Sequence, residues 1–302
     1  MRPRITIGVL VVAALFMGAA FIVALTPPRL DPEALRSAAV ADTQNGEKIF
    51  WASGCAGCHA APGAEGDQRL VLAGGLPIES DFGTFHAPNI SPDEGHGIGD
   101  WTFYEFANAL KKGIGRHGEN LYPALPYTSY VRMTNQDVRD LHGYIMTLPK
   151  SSEPSKPHDI AFPFNIRLAL SFWKRLYFSD QPRVTLADAA PEVMRGQYLV
   201  EGPGHCGECH TPRNALGGLK YGDWLAGGPN PDGEGMIPDI TPGSRAIGDW
   251  TASQIADYLE TGFTPDYDTV GGSMVEVQQN VSHLTRADLE AIGAYLKAVP
   301  AK

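Results

Sequence analysis

Apolar residues recur at helical spacing in two matching pairs of stretches along this 302-residue chain. In the first half, Phe103, Phe106, Ala107 and Leu110 follow Thr102-x-x-Glu105, and Val138, Leu141 and Ile145 follow Thr134-x-x-Asp137. In the second half, Ile255, Tyr258 and Leu259 follow Thr251-x-x-Gln254, and Leu289, Ile292 and Leu296 follow Thr285-x-x-Asp288. A threonine with an acid or amide three residues on is a helix-start signal, because each side chain satisfies a backbone N–H that the first turn leaves open. The pattern therefore predicts a middle and a last helix in each half, the last ones stopped by Pro149 and Pro300, which lack the N–H that a helix needs. A further short helix is expected from Gly46 to Trp51 and from Gly196 to Val200.

The halves repeat one another in the connecting segments as well. Ala87-Pro88-Asn89-Ile90-Ser91-Pro92, up to Gly99-Asp100-Trp101-Thr102, returns as Ile237-Pro238-Asp239-Ile240-Thr241-Pro242, up to Gly248-Asp249-Trp250-Thr251. Self-similarity over this length marks two copies of one domain. Two apolar runs stand outside the repeat. One is uncharged from Ile5 to Leu25, preceded by Arg2 and Arg4 and followed by Thr26-Pro27-Pro28. It is long enough to cross a bilayer as a single helix, with the arginines holding its start in the cytoplasm; Ala19, Ala20 and Ala24 leave open a cleaved signal peptide. The other, Phe162 to Phe178, mixes aromatic and aliphatic residues with Arg167, Lys174 and Arg175 in the linker between the copies. Apolar stretches are generally buried, which would place it between the two domains. A surface for a partner or for the membrane interface is the alternative, since basic and aromatic residues mix there.

Composition narrows the class. With 34 Gly and 24 Pro the chain is loop-rich around short helices, and such domains bury modest cores. The net charge of −10 makes nucleic acid an improbable partner, while an acidic surface favours solubility or steers a basic redox partner.

All four cysteines fall in two pentads, Cys55-Ala56-Gly57-Cys58-His59 and Cys206-Gly207-Glu208-Cys209-His210. This is the attachment signature of a c-type haem: each thiol adds to a vinyl group of the porphyrin, and the adjacent histidine reaches the iron. A zinc site would need Cys pairs brought together, whereas an identical His after each pair argues for two separate, equivalent sites. A thioredoxin-like motif fails because neither pair lies in a strand-then-helix pattern. The expected cofactors are thus two covalently bound haem c, with His59 and His210 as proximal ligands. A methionine thioether is the usual second ligand of an electron carrier. In the second copy Met274 fits, in the loop ahead of the last helix, with Met236 as competitor. In the first copy the same distance from the tryptophan lands on Leu125, which cannot bind iron, so Met133 is the choice, with His117 or an open position as alternatives. Arg213 could pair with a haem propionate, and His86 and His205 could touch a haem edge. No phosphate loop, Ser-His-Asp order or metalloprotease motif is present.

At these residues the chain resembles the cytochrome c subunits of membrane-bound bacterial dehydrogenases, the group serving alcohol, gluconate, fructose and aldehyde oxidation. The likeness is carried by Leu72-Ala73-Gly74-Gly75-Leu76-Pro77, Gly83-Thr84-Phe85-His86-Ala87-Pro88-Asn89-Ile90, Leu121-Tyr122-Pro123-Ala124-Leu125-Pro126-Tyr127-Thr128-Ser129-Tyr130 and the Phe162-to-Phe178 linker. Some relatives place Met where Leu125 stands; others keep the Met corresponding to Met133. The resemblance implies a mainly α chain of two tandem class I cytochrome c domains, residues 43–150 and 191–302, joined by linker 151–190 behind an N-terminal transmembrane helix or signal within residues 1–27. It implies an electron-transfer subunit in the inner membrane, haem domains in the periplasm, taking electrons from a periplasmic dehydrogenase and passing them to quinone or a terminal oxidase. A free membrane-tethered shuttle and a catalytic dihaem enzyme of peroxidase or thiosulfate-oxidising type are the rivals.

Overall fold

The computed structural model describes residues 28–36, 39–230 and 235–302. The expected membrane span over residues 5–25 lies outside them, and among the described residues no helix is long and apolar enough to cross a membrane.

The first half holds α1 (Pro32–Arg36), α2 (Thr43–Ala52), α3 (Cys55–His59), α4 (Phe103–Lys112), α5 (Tyr127–Tyr130) and α6 (Asn135–Ile145). Thr102 and Glu105 form the reciprocal capping box at the start of α4, and Thr134 accepts from the Asp137 N–H at the start of α6. Helix α2 begins earlier than the sequence pattern predicts, because the Asp42 carboxylate accepts from the N–H groups of Gln44 and Asn45. Its apolar face, Ile49 and Phe50, packs on Val138, Leu141 and Ile145 of α6, all nearly fully buried. Burial of this kind is worth roughly 1.5–3 kcal/mol for each large apolar side chain. The two helices cross at Gly46, where a Cβ would run into the Asp140 carbonyl.

The second half repeats this plan with α8 (Pro191–Glu201), α9 (Gly207–His210), α10 (Ala252–Thr261), α11 (Met274–Val281) and α12 (Arg286–Ala298). Leu199 and Val200 of α8 meet Leu289, Ile292 and Tyr295 of α12, and Gly196 lies against the Ala291 carbonyl as Gly46 does against Asp140. Pro191 at the first turn explains the early start of α8, since its missing N–H costs nothing there. Neither α2 nor α8 runs straight into its pentad: the chain breaks and turns at left-handed Gly54 (φ 60°) and His205 (φ 38°).

Strands are few. Pro77–Ile78 (β1), Gly83–His86 (β2) and Asp159–Ile160 (β3) form an antiparallel sheet, and Gly228–Pro229 (β4) pairs with Met236–Ile237 (β5). Strand β3 belongs to the linker and ties it to the first half. The linker helix α7 (Leu170–Tyr177) touches both halves with one face. Lys174 Nζ donates to the carbonyls of Lys112 and Gly113 (2.8 and 2.7 Å), Asn120 donates to Ser171 Oγ, and Trp173 Nε1 donates to the Leu216 carbonyl (2.8 Å). Phe172 and Leu176 on its other face are not buried, nor are Phe162, Phe164, Ile166 and Leu168 in the segment before it; the six are 44–77 % exposed.

Candidate haem sites

Each pentad forms a short helix, α3 or α9, just past the left-handed turn. Burial pushes the thiols of Cys55 and Cys206 up to about 12. A reactive or zinc-bound thiolate calls for the opposite shift, and among the described residues no three His, Cys, Asp or Glu side chains are grouped to share a metal ion. Each pair thus stands on a short helix turn with a histidine directly after it, the arrangement that covalent haem attachment uses.

The histidine after each pair is fixed the same way in both halves. His59 Nδ1 lies 2.9 Å from the Pro88 carbonyl, and His210 Nδ1 lies 2.8 Å from that of Pro238. A carbonyl only accepts, so Nδ1 carries the proton and Nε2 keeps its lone pair for a metal. Burial, partly offset by that carbonyl bond, holds both imidazoles below the ordinary histidine range, and they are neutral at pH 7. The supporting backbone is duplicated too. Gly74 N–H donates to the His59 carbonyl and Gly227 N–H to that of His210, each at 2.7 Å, while Ile90 and Ile240 donate to the carbonyls of Leu72 and Leu225. Both glycines have φ near 72° and press on the proline segment, so a Cβ on Gly74 would strike Pro88 and one on Gly227 would strike Pro238. The sequence reading singled out the Pro88 and Pro238 repeats without their role, and it missed that Leu72-Ala73-Gly74-Gly75 returns as Leu225-Ala226-Gly227-Gly228. That second repeat was the available signal.

The methionines fall in the halves that sequence reasoning gave them. Met274 opens α11 and packs, partly buried, on the core that Cys206 also borders. Met133 is 2 % exposed, in the core that Cys55 borders. It stands one residue before the capping Thr134, the place that Leu284 takes before Thr285, while Leu125 lies partly buried at the rim of the same core. Met236 is 72 % exposed on β5, and His117 is exposed on the turn between Gly115 and Glu119; neither competes well.

Arg213 is engaged differently from the propionate pairing expected of it. Its Nη2 donates to Glu208 Oε2 (2.8 Å) and to the Glu208 carbonyl (2.9 Å), and its Nη1 donates to the Gly217 carbonyl (2.8 Å). Glu208 Oε1 in turn accepts from Thr128 Oγ1 (2.7 Å) and Ser129 Oγ (2.8 Å) of α5 in the other half. Burial alone would raise this carboxyl, but Arg213 and the two hydroxyls outweigh it and hold it below the usual glutamate range.

That contact is half of a two-way clasp. Glu208 is the third residue of its pentad and meets α5, ahead of the first half's last helix. Gly57, third residue of the other pentad, meets α11, ahead of the second half's last helix, where a Cβ would lie 3.3 Å from Asn280 Nδ2. Ser129 and Asn280 are separated by the same interval as His59 and His210. Around this axis Trp51 stacks on His283 (3.8 Å, 6°), Arg69 pairs with Glu276 (3.0 Å), and His205 sits edge-on to Tyr130 with Nε2 3.3 Å from the Ser53 carbonyl, so it serves the joint between the halves. The two attachment helices thus face one shared interface.

Comparison with known proteins accords with this geometry. The family described as Cytochrome c matches residues 43–149. A protein named "Diheme cytochrome c-type" from Cereibacter sphaeroides is 52 % identical over 301 residues, covering 100 % of this chain and 99 % of its own length. The chain belongs to the dihaem c-type cytochromes. This dihaem cytochrome is also 36 % identical over 260 residues to the "Fructose dehydrogenase cytochrome subunit" of Gluconobacter japonicus, covering 85 % of the chain and 52 % of that protein. It is 37 % identical over 267 residues to the "Alcohol dehydrogenase (quinone), cytochrome c subunit" of Gluconobacter oxydans, with 85 % and 55 % covered. It therefore spans about half the length of those dehydrogenase subunits. Two thiols and one oriented imidazole per half fit the covalently bound haem c of this family.

Proposed function

We propose that this dihaem cytochrome is the electron-transfer subunit of a membrane-bound dehydrogenase, anchored in the inner membrane by its N-terminal apolar run with residues 43–150 and 191–302 as tandem class I cytochrome c domains in the periplasm. Electrons come from a periplasmic dehydrogenase and leave to quinone or a terminal oxidase. The observation that carries the reading is the pair of matched histidine cradles on attachment helices that face one interface. Haem c supplies one-electron exchange between ferric and ferrous iron. The chain's own part is to orient: the Pro88 and Pro238 carbonyls keep Nε2 of His59 and His210 unprotonated and aimed, Cys55, Cys58, Cys206 and Cys209 would hold the haems covalently, and Met274 and Met133 would offer thioethers to the iron. The clasp through Glu208, Arg213 and Thr128 holds the two sites at constant separation.

The test is gentle solubilisation of native membranes, capture of the cytochrome, and mass spectrometry of what co-purifies in equal amount. A stoichiometric dehydrogenase subunit is the expected result and names the substrate class. Isolation of the cytochrome alone, haems intact, at several detergent strengths would replace the subunit reading with a tethered shuttle or a stand-alone enzyme.

A further inference from the structure

The linker presents apolar side chains that the described residues leave largely open, with Phe82 meeting only Phe164 among them, 4.9 Å between ring centres. Phe162 (77 % exposed), Phe164 (44 %), Ile166 (46 %), Leu168 (50 %), Phe172 (46 %) and Leu176 (68 %) follow one another along the turns before α7 and α7 itself. Isolated exposed apolar residues are ordinary, but a run of this length marks an interaction surface. Its charge is equally distinct. Between Asp159 and Asp180 there is no carboxylate, in a chain with 34 of them, while Arg167, Lys174 and Arg175 lie within it. Lys174 is turned inward and Arg175 is exposed.

Where the chain enters the described residues decides what covers this strip. The Arg29 guanidinium rests against Gly118. Two residues further on, Asn120 donates to Ser171 Oγ and to the Arg167 carbonyl, on the inner side of the linker helix. The uncharged run ends at Leu25, and four residues of extended chain reach at most about 14 Å. A chain anchored through that run would therefore bring the bilayer within a few residues' reach of the linker. Apolar side chains with the exposed Arg175 among them, on a segment that has no acid of its own, are what a lipid surface with anionic headgroups accepts. From this placement we infer that the face Phe162–Leu176 lies in the membrane interface, its apolar side chains among the headgroups and upper acyl chains, as a second contact beside the N-terminal anchor. The inference rests on the anchored reading above. Its consequence is orientation: a tether alone lets the haem domains swing, whereas a tether plus a docked face fixes which side of the cytochrome faces the bilayer.

The test uses the full-length haem-loaded protein in nanodiscs containing anionic lipid. The native cysteines are occupied by thioethers, so Leu168→Cys, Phe172→Cys and Leu176→Cys can each be labelled selectively with a nitroxide, with haem absorbance checking the fold. Ala13→Cys reports the apolar run and Asp266→Cys an exposed loop of the second half. Accessibility to oxygen, which concentrates in lipid, is compared with accessibility to a water-soluble nickel chelate. The expected result is a shift at positions 168, 172 and 176 from nickel-favoured to oxygen-favoured, in the sense of position 13, with position 266 remaining aqueous. Nickel-favoured labels on the strip with an oxygen-favoured position 13 would overturn the docked face and leave the anchor standing. Labels on the strip shielded from both reagents would mean that protein covers it, which also overturns the inference. A nickel-favoured position 13 would remove the anchor itself.

Discussion

Replacing Glu208 by Gln tests whether the clasp between the halves is a source of stability or only a contact. The carboxylate is 8 % exposed, with Oε2 on Arg213 and Oε1 shared by Thr128 and Ser129. Glutamine is nearly isosteric and keeps one acceptor, so the two hydroxyl bonds survive as neutral ones, while the charge opposite Arg213 is lost. Breaking a buried ion pair by removing one partner costs about 3–5 kcal/mol. The Arg213 side chain is 30 % exposed and regains some solvation, which brings the expected cost to about 2–3 kcal/mol. The assay is guanidinium unfolding of the haem-loaded protein followed by Soret circular dichroism, with Arg213→Met and the double variant completing a cycle. Because each single change strands the other's charge, the double variant should cost less than the sum, by about 1.5 kcal/mol or more. A Glu208→Gln cost below about 0.5 kcal/mol, or strict additivity with Arg213→Met, would refute the account.

Three further outcomes are expected. Burial pushes the Lys174 ammonium down to about 7, below the unfolded value of about 10.4; between these the folded state binds fewer protons, so stability rises with pH from about 7 to 10 by up to about 1.4 kcal/mol per unit. Lys174→Met should flatten the curve of unfolding free energy against pH by one proton's worth, and an unchanged slope would dismiss the shift. Met274→Leu and Met133→Leu should each abolish one of the two upfield-shifted methionine methyl resonances of the reduced protein and lower the potential of one haem; survival of both signals in the Met133 variant would return the first haem's sixth position to another ligand or to none. Gly74→Ala and Gly227→Ala place a Cβ against the proline segment at a left-handed φ and should each cost about 1–3 kcal/mol of thermal stability, seen in melting of the loaded protein, whereas wild-type melting would show that the cradle yields.

The sequence made legible what depends on local chemistry. The capping threonines, the pentads and the Pro88 and Pro238 repeats read correctly because each acts over a few residues. The helices ahead of the pentads were misjudged in extent, since Asp42 and Pro191 extend them backward and a left-handed residue, not continuous helix, sets the aim of each pentad. The protein partners of Arg213 were illegible for a different reason. Its partner Glu208 lies inside the pentad, and the hydroxyls that complete the site come from Thr128 and Ser129 in the other half. Contacts across such a separation leave no periodicity to find. The linker was legible in composition but not in orientation: which face of α7 turned inward was decided by Ser171 and Lys174, two polar residues in an apolar run, finding acceptors and donors on the first half.

The duplication explains why this joint is asymmetric in chemistry while symmetric in position. A pair of equivalent surfaces meeting across a two-fold places like residues opposite related ones, so a charge kept in both pentads would have to be buried twice. Here the third pentad position is Glu208 in one copy and Gly57 in the other. The glycine admits α11 closely, with Asn280 against the attachment helix, and the glutamate is confined to the side where Arg213, Thr128 and Ser129 satisfy it. Two buried, partnered carboxylates then bridge the halves, Glu208 on the attachment helix and Glu201, which lies 3.7 Å from the guanidinium of Arg132 in the first half, and close packing at Gly57 supplies contact on the opposite side without a charge in the second pentad. The Arg69–Glu276 pair then lies at the edge, where the 56 % exposure of the Glu276 side chain lowers its worth, while the stack of His283 on Trp51 covers a buried indole. Of the groups that bridge the halves, Glu208 alone stands inside a haem-attachment pentad, which makes it the residue whose replacement most directly connects the stability of the joint to electron passage between the halves.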